Sequence, residues 1–158
     1  MDAHADALTM KTRIALRPVA PGDLRLLTRM AAAFNDEDGH PLSAAGKRAL
    51  KELCIGTPHG IGYLIEAGRE PIGYLVVGLG FSIEYGGIDG FLDEFYVEPT
   101  HRGRGIGTTA LQDLGKIAKR LKIKALHLEA MPQNDRAARL YRRLGYRLSE
   151  RRLMSKRF

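Results

Sequence analysis

Apolar residues recur along the chain with two different periods, and the changes from one to the other mark out its elements. Residues 13–18 alternate as a strand does, and Pro21-Gly22-Asp23 opens a helix in which Leu24, Leu27, Ala31 and Phe34 form one buried stripe. The run Asn35-Asp36-Glu37-Asp38-Gly39 breaks that stripe, and Ser43 predicts the cap of a second helix reaching about Cys54. Residues 61–66 and 72–79 are apolar, β-rich runs divided by Gly68-Arg69-Glu70-Pro71, which predicts a hairpin. Gly86, Gly87 and Gly90 free the chain before a strand over 91–97. Ile106, Ala110, Leu114, Ile117 and Leu121 make a helical stripe, and a strand comes next over 125–130. Asn134 caps a last helix whose Ala137, Leu140, Tyr141 and Leu144 share a face, Gly145 ends it in a left-handed conformation, and the remainder suits a terminal strand. This order predicts an α/β domain with a mixed sheet over residues 13–158, preceded by a flexible tail over 1–12.

Composition narrows the class. A chain of 158 residues with 44% hydrophobic content fits one domain with one core. No apolar stretch approaches the roughly 20 residues of a membrane span. The first eleven residues lack the apolar segment of a signal peptide, so a cytoplasmic location without membrane attachment is expected. Cys54 is the only cysteine, which excludes an internal disulfide, and its helical spacing from Leu50 suits buried filler. The histidines lack ligand spacing, so no metal is expected.

The net charge of +7 is unevenly distributed: residues 1–97 carry 9 Lys+Arg against 13 Asp+Glu (−4), and residues 98–158 carry 16 against 5 (+11). A basic half facing a ligand's phosphates and an acidic half facing a cationic substrate would account for both signs. For Lys119, Arg120, Lys122 and Lys124, solvation of a helix face and the loop after it is the favoured reading. A nucleic-acid partner is disfavoured, because aromatic residues are sparse among the C-terminal basic ones and no recognised motif is present.

The most informative segment is Phe91-Leu92-Asp93-Glu94-Phe95-Tyr96-Val97-Glu98-Pro99, which opens through Thr100-His101 onto Arg102-Gly103-Arg104-Gly105-Ile106-Gly107. A strand with two carboxylates leads into a glycine-rich basic loop at the start of a helix. Bare backbone amides and the positive end of a helix suit a diphosphate. A Walker loop is excluded, because Thr108 and Thr109 stand where Lys and Ser or Thr are needed. A Rossmann fingerprint gains an acid at Glu129 but lacks its third glycine and the room for several βα units.

Arg102-x-x-Gly105-x-Gly107, preceded by Tyr96-Val97-x-Pro99 and followed by Asn134 and Leu140-Tyr141-Arg142-Arg143-Leu144-Gly145-Tyr146, resembles the GNAT superfamily of N-acetyltransferases over nearly the whole chain. Leu92 to Val97 is most similar to the diamine (spermidine/spermine) acetyltransferase branch. The resemblance implies a GNAT-like fold, a mostly antiparallel mixed sheet splayed at the strand that binds coenzyme A and flanked by helices. It implies acetyl-CoA as co-substrate, contacted by Phe95, Tyr96, Val97, Arg102, Gly103, Arg104, Gly105, Ile106, Gly107, Thr108, Asn134 and Ala137. Homodimers are common in families of this kind.

Acetyl transfer requires a neutral amine. An alkylammonium with a pKa near 10.4 is only about one part in a thousand free base at neutral pH, so a carboxylate is needed to take its proton. Glu94 and Asp93 are the candidates for base or substrate anchor. Strand alternation puts them on opposite faces unless a bulge intervenes, and a solvated edge position is the alternative for one of them. Tyr141 reads from spacing alone as a core tyrosine, and the resemblance makes it the general acid that protonates the departing thiolate. Asn134 suits both a helix cap and a contact to the coenzyme A arm. Nothing suggests a covalent acetyl-enzyme, since Cys54 lies far from the motif in sequence and there is no GxSxG elbow. The expected activity is direct transfer from acetyl-CoA to a small cationic amine. The alternatives are acetylation of a protein N-terminus or lysine, and a non-catalytic acyl-CoA-binding module.

Overall fold

Five strands pair in chain order into one sheet whose two faces are covered by different helices. The computed structural model describes residues 12–158, which divide into a unit ending at Leu128 and another from Glu129 to Phe158. The first holds β1 (Ile14–Pro18), α1 (Leu24–Glu37), α2 (Ala44–Ile55), β2 (Gly60–Ala67), β3 (Glu70–Ser82), β4 (Gly87–Val97), α3 (Ile106–Arg120) and β5 (Leu126–Leu128). The second holds α4 (Asp135–Arg143). Strands β1 to β4 are antiparallel, and β5 joins β4 in parallel, giving the mixed sheet that the pattern predicts and the mostly antiparallel pairing that the resemblance implies.

Alternation along the strands assigns the two faces. Leu64, Tyr74 and Tyr96 pack with Leu27, Met30 and Ala31 of α1 and Leu50 and Cys54 of α2. Ile65 and Ile72 pack with Ile106 and Ala110 of α3, together with Leu16, Phe95 and Val97. Cys54 is buried core, as its spacing implies, and burial raises its thiol pKa. The strand and helix starts are tied by Arg17, whose Nη1 and Nη2 donate to Asp23 at 2.9 and 3.0 Å and whose Nε donates to Glu66 at 2.6 Å. Ser43 Oγ accepts from the Gly46 amide and caps α2, and the two-residue turn Gly68-Arg69 joins β2 to β3.

Four boundaries differ from the sequence expectation. Helix α1 runs on through Asn35, Asp36 and Glu37, because acidic residues do not stop a helix whose other face is buried. Strands β3 and β4 continue through Gly80, Gly87 and Gly90; at Gly90 the absent side chain makes room for neighbours, since a Cβ there would stand 2.8 Å from Val77 and 2.9 Å from Leu126. The strand expected over 125–130 shortens to Leu126–Leu128, and Leu121, expected in the α3 stripe, is exposed just past the helix end. Residues 145–158 form no strand, since Leu148, Leu153, Met154 and Phe158 lack a period of two and are all exposed. The tail expected over 1–12 lies outside the described residues except for Thr12. None of the helices among the described residues is long and apolar enough to cross a membrane.

Gly73 carries the closest approach in the sheet, where an added Cβ would strike the Tyr96 carbonyl of β4. Gly73→Ala is expected to lower stability by about 1–3 kcal/mol through overpacking. Gly22→Ala, where nothing lies within 4 Å, is expected to stay within about 0.5 kcal/mol. Urea denaturation of the two variants checks this, and equal midpoints would mean that the sheet adjusts freely.

Candidate active site

One extra residue in β4 brings a carboxylate onto the α1 face. The β3–β4 register passes from Val77↔Leu92 to Val76↔Glu94, so Asp93 is the unpaired residue of a β-bulge. Alternation resumes one step out of phase, and Glu94 joins Tyr96 and Tyr74 on the face covered by α1, while Phe95 and Val97 point to the α3 side. Asp93 is exposed and Glu94 is half-buried.

Glu94 is held by two donors. The Tyr74 hydroxyl donates to Oε2 at 2.7 Å, and Asn35 Nδ2 donates to Oε1 at 3.2 Å and to the Ala31 carbonyl at 2.8 Å. Burial raises the Glu94 pKa, the charges of Asp93 and Asp38 raise it further, and the two hydrogen bonds oppose the rise. Burial, with Glu94 alongside, pushes the Tyr74 phenol well up, so it stays protonated and donates. A raised pKa makes the carboxylate a stronger proton acceptor than a free carboxylate, the direction a general base needs.

Sequence reasoning missed Tyr74 and Asn35. A tyrosine inside the apolar run Ile72–Val77 was the available signal, because a buried phenol needs a partner. Nothing in the sequence named that partner. Asn35 was obscured by the acidic run directly after it.

Beyond Leu92, β4 has no partner in β5: the parallel pairing covers only Gly90↔Leu126, Phe91↔His127 and Leu92↔Leu128. Strand residues Glu94 to Val97 are therefore paired on the β3 side alone, and this is the opening that the resemblance leads one to expect. A short 3₁₀ turn over Pro99–His101 then leads into the glycine loop.

Gly103 and Gly105 both adopt left-handed φ values, 77° and 76°, and Gly105 stands immediately before α3 with no side chain capping the helix. A Cβ at Gly105 would meet nothing within 4 Å, and the first amides of α3, from Ile106, Gly107 and Thr108, have no acceptor within the helix. These features fit a diphosphate. Arg104 is exposed. The Arg102 guanidinium is engaged with the protein: Nε donates to the Val97 carbonyl at 2.7 Å, Nη2 reaches Glu37 at 2.9 and 3.0 Å, and the group lies 5.4 Å from the Tyr96 ring centroid.

In the second unit, Asn134 Oδ1 accepts from the Ala137 amide at 3.1 Å, capping α4, and Gly145 has φ 91° just past its end. Tyr141 is half-buried on that helix, packs edge-on against Tyr146 at 5.8 Å, and has its pKa raised by burial.

The profile of the acetyltransferase (GNAT) family matches residues 27–146. Thialysine N-epsilon-acetyltransferase from Bos taurus is 35% identical over 86 residues, which is 52% of this chain and 51% of that protein. The Mus musculus protein of the same name is 33% identical over the same length. The chain thus spans about half the length of the curated relatives it matches. An integron cassette protein from the mobile metagenome of Cole Harbour Salt Marsh shares 38% identity over 90% of this chain and 89% of its own, with a TM-score of 0.78. The fold also matches AAC(6')-Iy in complex with the bisubstrate analog CoA-S-monomethyl-acetylneamine, at a TM-score of 0.75 and 17% identity over 92% and 99% of the two chains.

Tyr74→Phe keeps the ring and removes the donor to Oε2 of Glu94. Its carboxyl titration, followed by ¹³C NMR, is expected to move upward because the charged form loses a hydrogen bond. An unchanged midpoint would mean that the phenol does not stabilise the carboxylate.

Proposed function

The chain belongs to the acetyltransferase (GNAT) family, and from that premise we propose that it is an acetyl-CoA-dependent N-acetyltransferase acting on a small cationic amine. The observation that carries this reading is the Glu94 carboxylate, half-buried, held by two neutral donors and flanked by Asp93 and Asp38. A cationic acceptor is attracted by the three acids and loses its proton to the one that is best held. The family is shown by sequence, and the names of the curated relatives support an amine at the end of an amino-acid side chain as the acceptor.

The residues of this chain divide the work. The amides at the start of α3, opened by Gly103 and Gly105, hold the diphosphate of coenzyme A, with Arg104 adding positive charge. Strand residues Phe95 to Val97 offer backbone groups to the amide-rich arm, and Asn134 and Ala137 are further candidates for contact with it. Acetyl-CoA, when bound, supplies an acetyl group activated as a thioester. Glu94 removes a proton from the substrate ammonium, directly or through a water, and frees the nitrogen lone pair. The nitrogen adds to the thioester carbonyl and the C–S bond breaks; by the family resemblance the thiolate takes its proton from Tyr141, and the second proton on nitrogen leaves to water, from which the phenol is restored. A phenol whose pKa is raised by burial keeps that proton until negative charge develops on sulfur. Asp93, exposed on the bulge, serves as an anchor for positive charge.

The reading is tested by turnover of a panel of diamines, lysine analogues and aminoglycosides with acetyl-CoA, followed through release of free thiol. Glu94→Gln is expected to lower kcat by about 10²- to 10⁴-fold and to shift activity to higher pH, where free amine is more abundant. Wild-type rates for this variant would return Glu94 to a structural role. Absence of thiol release with every amine in the panel, alongside tight binding of acetyl-CoA, would favour the non-catalytic module.

Cofactor binding has its own check. Gly105→Val puts a side chain into the open space before α3 and strains a left-handed position, so calorimetry is expected to show acetyl-CoA affinity lowered by at least about tenfold. Equal affinity would remove the loop from the binding site.

A further inference from the structure

Four polar groups surround the Glu94 carboxylate, and only two of them oppose its protonation. Asp93 on its own strand and Asp38 at the end of α1 disfavour the charge. Tyr74 of β3 and Asn35 of α1 favour it by donating hydrogen bonds, one to each oxygen.

We infer that Asn35 is a positioning residue for this reaction: anchored on its own helix, its side-chain amide fixes Oε1 of Glu94 while Tyr74 fixes Oε2. The inference rests on Glu94 acting as the base. The Asn35 amide is itself constrained, since one of its two N–H groups is used on the Ala31 carbonyl one turn back and the other points to Glu94. Both donors are neutral, so they hold the carboxylate without cancelling the charge that attracts an ammonium. Each carboxylate oxygen still has acceptor capacity for an incoming proton. The chemistry of position 35 is also set apart from its surroundings: Asn35 is the neutral residue ahead of Asp36, Glu37 and Asp38. A fourth acid there would face Glu94 with a like charge in place of a donor. A residue needed only to satisfy the Ala31 carbonyl would have no reason to reach across to β4.

The experiment compares wild type, Asn35→Ala and the near-isosteric Asn35→Asp by ¹³C NMR titration of the Glu94 carboxyl and by the pH dependence of kcat/KM for an accepted amine. Asn35→Ala removes one hydrogen bond to an ionised group, so the midpoint is expected to rise by about one pH unit. The acid limb of the kcat/KM profile should move with it, and much of the activity should return at higher pH. Asn35→Asp, which keeps the volume and adds a like charge, should move both further. A merely structural Asn35 predicts a lower denaturation midpoint with the carboxyl titration in place. Midpoints within about 0.2 pH unit of wild type in whichever variants fold would overturn the inference. Loss of turnover in Glu94→Gln combined with that result would sink the role of Asn35 alone. Full turnover in Glu94→Gln would instead sink the base assignment, whatever the titrations show.

Discussion

The position of the site depends on the mismatch between β3 and β4, where Val77 faces Leu92, Val76 faces Glu94, and Asp93 between them has no partner. Without the extra residue, strict alternation would send Glu94 to the α3 side with Leu92, into a face closed by Ile106 and Ala110, and would leave Asp93 toward α1. The bulge places the longer carboxylate among Tyr74, Asn35 and Tyr96 and leaves the shorter one exposed at the kink. Parallel pairing with β5 ends at Leu92, next to the same irregularity, and this leaves Glu94 to Val97 paired on the β3 side only. The carboxylate and the strand opening are therefore set within a few residues of each other by one local departure from regular pairing.

The ionisation of Glu94 is in turn a balance of comparable effects. Burial favours the protonated acid, while two hydrogen bonds to the ionised form are each worth about 1.5–3 kcal/mol, or roughly one to two pH units. With burial the larger influence, the outcome is a carboxyl pushed up from its ordinary value. That direction suits a base. A carboxylate with the lowest attainable pKa would hold a proton poorly, and one raised above the working pH would already carry it. The two neutral donors oppose the rise that burial causes, so removal of either favours the protonated form.

Much of this arrangement was legible in the chain itself. The stripe of α1, the Ser43 and Asn134 caps, the Gly68-Arg69 turn and the helix after Gly105 all stem from local chemistry, which acts within a few residues and so leaves a trace in sequence. The alternatives for Asp93 and Glu94 were also legible, including the bulge that would decide between them. The bulge itself was not, because it is a property of the register between two strands. Tyr74 and Asn35 were missed for the same reason, being 20 and 59 positions from Glu94. The glycines at 87 and 90 misled in the opposite direction: they suggested a loop, whereas both lie in β4, and at Gly90 close neighbours fill the space that a side chain would have occupied.

The last turn of α1 joins the two halves of the site. Asn35 reaches Glu94, and Glu37, on the same turn, accepts from Arg102 at the head of the glycine loop. An exposed ion pair of this kind contributes at most about 1 kcal/mol, so it does not fix the loop alone. Arg102 adds a hydrogen bond to the last carbonyl of β4 and the face of Tyr96. A lysine could make any one of these contacts but not all three, because they require a planar group with separate donors and a flat face. The arginine side chain thus holds the loop to β4 and α1, and the positions after it offer an anion their backbone amides. Gly103 and Gly105 then supply the two left-handed positions that turn the chain into α3.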